Sequence, residues 1–380
     1  LANYSGNDVA YLDFAATTPV DERVAELVLR LMRDDFANAG SRTHEMGVHA
    51  AREVSKAREL VARALAASPE EVVFTSGATE ASNLAILGLA RANKGAARHI
   101  VTTAIEHSAV EGPIAALERD GYEVTRVAPD RRGHVSADDV LAAVREDTLL
   151  VSVMHANNET GAVQPIVAIA DGLRAEPAFH VDAAQTFGRL NEDLRYPRID
   201  LISVSGHKIY APKGVGALVA RRGDGRPPIA PIMFGGGQER GLRPGTVPVP
   251  LVAGLGLASA LAEAEGAARG ERCAVIRSDA LDALGSLGGV FHGEGGRTLP
   301  HILSVAFPGI DSEALMVALR GVAAVSNGSA CTSASYKPSH VLEAMGVDDE
   351  VLRGTIRISW SHDVADPPWH DIAGVVRMLS

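Results

Sequence analysis

Short apolar runs alternate with segments of helical period over the first two-thirds of the chain, and this alternation constrains the fold more than any other feature. Runs at 71–75 (EVVFT), 99–103, 123–128, 148–155, 178–182 and 201–205 read as strands. Between them 78–90, 113–119, 137–144 and 166–174 read as helices. The stretch 48–65 reads as a longer one, with Val54, Ala57, Val61, Ala64 and Leu65 on one face. Strands alternating with helices predict a mostly parallel sheet covered on both faces. From about residue 250 the pattern changes to a long helix (251–277), short strands and terminal helices. The expectation is therefore an α/β chain: a large domain over 12–250 and a smaller α+β C-terminal domain made of 251–380 together with residues 1–11.

Length agrees with two units, because 380 residues exceed one typical core. Apolar residues make up 46% and charged ones 22%, which is ordinary for a globular protein. The formal net charge of -11 argues against direct nucleic-acid binding, which needs clustered Lys and Arg. No unbroken apolar run approaches the roughly 20 residues of a membrane span, so no membrane partner is expected. The first ten residues lack a signal-type apolar stretch. Two cysteines, Cys273 and Cys331, in a chain this long suggest thiols in a reducing, cytoplasmic setting rather than a disulfide framework. No metal site is expected.

In open parallel sheets ligands sit beyond the carboxyl ends of the strands. The polar residues that follow the strands here are Thr79, His107, Asn157, Asp182, Ser205 and His207. Lys208 closes Ser205-Gly206-His207-Lys208, and an amine at the end of a buried strand is desolvated as Schiff-base chemistry requires. Ser205 and His207 can donate hydrogen bonds to an anion beside it; the bland reading is an ordinary loop. Asp182 ends FHVD, with Gln185 three residues on. A buried carboxylate needs a cation, which a protonated pyridinium would supply, although helix capping explains it equally. Ala78 and Thr79 open a helix whose free N–H groups suit a phosphate. His107 could stack flat on a ring or be a satisfied structural histidine. Each signal is weak alone. Together, each after its own strand, they read as a pyridoxal-phosphate site.

Tyr11 to Asp21 (YLDFAATTPVD), FTSGATEASNLAI, EHSAV, MHANNETGAVQPI, HVDAAQTFG, SVSGHKIYAPKGVGAL, GGGQERGLRPGT and SNGSACTSAS closely resemble the cysteine desulfurases. The likeness is to the iron-sulfur-cluster and nitrogen-fixation branch within the class V aminotransferases, and it runs from about Tyr11 to the end. It implies the type I pyridoxal-phosphate fold with a seven-stranded sheet, and pyridoxal 5'-phosphate as cofactor. Lys208 would be the Schiff-base lysine, His107 the ring stacker and acid-base group, Asp182 the pyridinium partner and Gln185 the bond to the phenolic oxygen. Ala78, Thr79, Ser205 and His207 would hold the phosphate, with Thr246 entering from the other subunit of a homodimer. Asn157 and Arg357 would grip the carboxylate of L-cysteine, a guanidinium fork being suited to that task.

Cys331 lies in a small, polar run without apolar period, as a reactive thiol should. The resemblance makes it the residue that receives sulfur and passes it to an acceptor protein, an iron-sulfur scaffold or a DNA-modification protein. Cys273 sits in a charged helical segment and reads as structural. The chain departs from the family at 36–41 (FANAGS), at Pro244 and at 358–361 (ISWS). Its brevity after the last helix and the NAGSRTHE stretch resemble the desulfurases of bacterial DNA phosphorothioation. An aminotransferase or selenocysteine lyase of the same fold is the rival enzyme reading; a non-catalytic scaffold that binds a partner is the rival from another class.

Overall fold

The computed structural model describes residues 9–93, 95–221, 229–327 and 338–380. Cys331 and its immediate neighbours therefore lie outside the described residues. The strands in chain order are β1 (Ala10–Tyr11), β2 (Val72–Thr75), β3 (His99–Thr103), β4 (Glu123–Val127), β5 (Thr148–Met154), β6 (Ala178–Asp182), β7 (Leu201–Ser205), β8 (Gly216–Ala220), β9 (Val290–His292), β10 (Ile302–Ala306), β11 (Ala323–Ala324) and β12 (Thr355–Ser359). Seven of them form one sheet in the order β2-β8-β7-β6-β5-β3-β4. Every pairing from β7 to β4 is parallel, whereas β8 runs antiparallel to both of its neighbours.

Burial follows position in the sheet. All seven residues of central β5 are buried, so its near-continuous apolar sequence is what a strand covered on both faces requires. Edge strand β4 exposes Glu123 and Thr125, and its charged residues keep that edge from pairing further.

β8 has no counterpart among the sequence expectations. Its GALVA run opens on a glycine, and glycine is a poor strand former. The structure shows why glycine stands there: a Cβ on Gly216 would lie 2.4 Å from the Val204 carbonyl oxygen and 2.6 Å from the Gly77 Cα. The helix expected at 113–119 starts instead at Ser108, with Pro113 inside it.

The helix Val249–Gly285 packs against Glu45–Ala64 and Glu22–Arg33. By length and composition it could cross a membrane, a property that counting unbroken apolar runs overlooks. Here it serves as core. Val252, Leu255 and Ala258 join the apolar cluster of the large sheet, and Cys273, Ile276, Ala280 and Leu284 join a second one around β10 and β12. β9, β10 and β12 form an antiparallel sheet in the order β12-β10-β9.

Residues 10–18 link the two regions. Ala10–Tyr11 pairs in parallel with β11, the Ser359 N–H donates to the Leu12 carbonyl at 2.8 Å, and the Thr18 N–H donates to the His207 carbonyl at 3.0 Å. This segment carries the C-terminal region onto the end of β7, where the polar residues collect.

Candidate active site

A cavity of about 560 Å³ opens beyond the carboxyl ends of β2, β3, β5, β6 and β7. The size falls in the range of small-molecule and cofactor sites. Ala78, Thr79, His107, Asp182, Gln185, Ser205, His207, Lys208 and Arg357 all line it, so nine residues proposed from four separate strand ends and β12 converge on one space. Parallel pairing does the gathering. β6 and β7 pair with Asp182 opposite Ser203, which puts the Asp182 side of one strand end beside the Ser205 end of the other.

The helix Ala78–Ala92 begins at Gly77, which offers no side-chain cap, so its first N–H groups are left for a ligand. Lys208 follows β7 in a short 3₁₀ turn, and its Nζ donates to the carbonyls of Ala15 and Ala16, the latter at 2.8 Å. The His207 Nδ1 pairs with the Thr17 hydroxyl at 3.1 Å. Burial and the adjacent Lys208 and Lys213 push the His207 imidazole down to about 4, so it is neutral near pH 7.

Asp182 is buried, and its Oδ1 accepts the Ala184 N–H at 2.9 Å. No cation lies within ion-pair distance of it among the described residues. Burial raises its carboxyl above the usual range, against the pull of the Ala184 N–H, His107 and Lys208. A buried acid facing a cavity without a cation is the arrangement that a pyridinium nitrogen completes. His107 caps the helix Ser108–Arg119, its Nδ1 accepting the Ala109 N–H at 3.1 Å. Burial lowers its pKa, opposed by Asp182 and assisted by Lys208. The neutral ring therefore carries its proton on Nε2. The cavity, the uncapped helix start, the uncompensated acid and the lysine together fit pyridoxal phosphate.

Arg357 reaches in from β12. Its Nη2 meets Asp13 Oδ1 at 2.8 Å, its Nη1 donates to the Asn158 carbonyl at 2.9 Å, and its buried Nε has no hydrogen-bond partner. Asn157 is not brought to the cavity. It is fully buried, donates to the Ile105 carbonyl at 3.1 Å and accepts the N–H groups of Glu159 and Thr160 at 2.8 and 3.0 Å. Its amide thus holds a turn, and the neighbouring Asn158 lines the cavity instead. Thr246 is exposed and outside this chain's cavity.

Two buried acids near the site drew no attention in the sequence. Glu106 lies wholly inside, its Oε1 accepting from Thr103 Oγ1 and the Met154 N–H, both at 2.8 Å, while its Oε2 has no partner. Burial pushes it up to about 8. Glu159 is also raised by burial and accepts from the Ser339 hydroxyl at 2.5 Å. Neither stands in a run whose pattern marks it as buried: Glu159 lies in HANNETG and Glu106 in AIEHSAV. Lys213 lines the cavity too, and its glycine-flanked surroundings give no sign of it.

A chain with this sheet and this crevice belongs to the class-V aminotransferase family, whose profile matches residues 10–365. It is 46% identical over 353 residues to the cysteine desulfurase IscS of Pectobacterium atrosepticum, which covers 92% of this chain and 87% of that relative. Among solved structures, a NifS-like protein superposes with a TM-score of 0.88 at 37% identity, covering 97% of both chains. DndA from Streptomyces lividans superposes with a TM-score of 0.81 at 49% identity, covering 93% of this chain and 99% of that one.

Proposed function

We propose that this protein removes sulfur from L-cysteine, yielding L-alanine and a persulfide on Cys331 that is handed to an acceptor protein. It is a pyridoxal-phosphate-dependent cysteine desulfurase. The observation that carries the reading is the convergence of Lys208, the uncompensated Asp182, the neutral His107 and an uncapped helix start on one cavity.

The bound cofactor supplies a conjugated electron sink next to the substrate's α-carbon. Lys208 would hold it covalently, and Ala78, Thr79, Ser205 and His207 would hold its phosphate. Asp182 would pair with the ring nitrogen, Gln185 would bond the phenolic oxygen and His107 would stack on the ring. Arg357, already fixed by Asp13 and Asn158, receives the substrate carboxylate. Lys208, once its Nζ is free, would move the α-proton, and His107 would offer the proton on Nε2. The Cys331 thiolate attacks the substrate sulfur. The carbon–sulfur bond breaks with its electron pair staying on the carbon skeleton, which takes up protons and leaves as alanine.

The likeness of the NAGSRTHE stretch to the phosphorothioation desulfurases, together with 49% identity to DndA, supports a DNA-modification protein as the acceptor over an iron-sulfur scaffold. A homodimer in which Thr246 completes the partner's phosphate site, a cytoplasmic location, and division into 12–250 and 251–380 with 1–11 belong to the same proposal.

The test is Cys331→Ser. The variant should keep the visible absorbance of the cofactor and lose sulfide and alanine production from cysteine. Retained turnover would point to the aminotransferase or lyase reading instead.

A further inference from the structure

A second cavity of about 120 Å³ lies behind Lys208, walled by Gly188–Leu190, Ile209 and Tyr210 on one side, the long helix at Ala262, Gly266, Arg269 and Gly270 on another, and Pro300, His301 and His362 on the third. Its electrostatics are one-sided. Arg189 donates only to main-chain carbonyls, through Nη2 to Lys208 at 2.8 Å and through Nη1 to Gln185 at 3.4 Å. No carboxylate pairs with it among the described residues. Its strongest electrostatic neighbours are the Tyr210 phenol, the Cys273 thiol and the Arg269 guanidinium, none of them a carboxylate.

His301 is 3% exposed, and its Nε2 has no hydrogen-bond partner. The charged groups it feels most are Arg189, Lys208, Arg277 and Arg357, all cations. The acids near this wall are already engaged. Glu265 holds Arg269 at 2.5 Å and Arg23 at 2.7 Å, and Asp363 holds His362 at 3.1 Å. Arg189 is half-buried, and a partly desolvated guanidinium without a counter-charge favours a bound anion.

We propose that this cavity binds one small inorganic anion, a halide or a tetrahedral oxyanion, between Arg189 and His301. The volume holds about four waters or a single such ion, and excludes anything the size of a nucleotide. Arg189 would be the principal ligand. Because the same guanidinium donates to the carbonyls of Lys208 and Gln185, occupancy would fix the backbone that presents the cofactor lysine. The proposal rests on this cavity alone and stands apart from the reading of the active site.

The experiment is chlorine-35 NMR of the holoenzyme in sodium chloride, followed by sulfate titration at constant ionic strength. The expected result is line broadening that sulfate reverses saturably, with a rise in melting temperature of about 2 °C at tenfold excess over Kd. Two variants locate the site. Arg189→Gln removes the charge, and Gly266→Leu fills the cavity with the charge left in place; both should lose the sulfate-reversible broadening. If only one variant folds, it suffices. Equal broadening in the wild type and a folded variant would mean adventitious surface binding and would overturn the proposal. Absence in the wild type of both chloride broadening and a sulfate-dependent rise in melting temperature would mean that water alone fills the space, with the same consequence.

Discussion

Arg357 meets Asp13 through one guanidinium nitrogen and the Asn158 carbonyl through another, so its orientation is set before any substrate arrives. A lysine could satisfy one of those contacts but not hold the planar fork toward a carboxylate. Arg357→Lys should therefore raise KM for cysteine by ~30-fold, about 2 kcal/mol of lost binding, with a smaller effect on kcat. Steady-state kinetics separates the two; an unchanged KM would remove Arg357 from carboxylate recognition. Glu106 makes a prediction about pH. Its folded value of about 8 lies above the ordinary carboxyl value of 4.5, so the folded state holds its proton more tightly than the unfolded chain. The stability this gives is complete below the unfolded value and is lost as pH rises through the folded one. Glu106→Gln keeps a neutral group in place. The urea midpoint of the wild type relative to this variant should fall steadily from about pH 5 to pH 8. A constant difference across that range would mean that Glu106 is ionised inside the protein.

At the scale of elements, the turn after β2 and the start of β8 share one close contact. Gly216 lies where a Cβ would strike the Val204 carbonyl and the Gly77 Cα, and Gly77 opens the helix that faces the phosphate position. Gly216→Ala must separate the strand from the helix start. It should destabilise the fold by about 3 kcal/mol, as overpacking does. Cofactor affinity should weaken in parallel, measured by absorbance titration of the apoprotein. Loss of stability with cofactor affinity intact would detach this turn from phosphate binding. The same elements mark the limits of reading by pattern. Strands β3, β6 and β7 coincide with the runs read from the sequence, because a strand buried on both faces is rich in apolar residues. β8 escaped because close backbone approach, rather than burial, selected its glycine. Asn157 was placed at the right strand end, yet its amide is spent on the turn at 157–160, and no local pattern distinguishes an amide that holds a turn from one that holds a substrate.

For the whole molecule, the proposed homodimer sharing Thr246, which is exposed and does not line this chain's own cavity, makes a prediction about mass. Light scattering of the holoenzyme should give twice the mass of the chain, and a monomer of full activity would exclude the shared site. The sequence alone determined the type of fold and the identity of most crevice residues, since apolar periodicity reports burial directly and the ends of parallel strands must meet along one edge. It also singled out Lys208, because an amine closing a buried strand is costly unless it has work to do. The tertiary structure decided everything that depends on distant segments meeting. Residues 13–17 supply the carbonyls for Lys208, the hydroxyl for His207 and the carboxylate for Arg357, and burial is the main cause that lifts Glu106 and Asp182 above the usual carboxylate range. Those contacts join residues nearly two hundred positions apart or more, and the desolvation that tunes the acids comes from neighbours that no window of sequence contains.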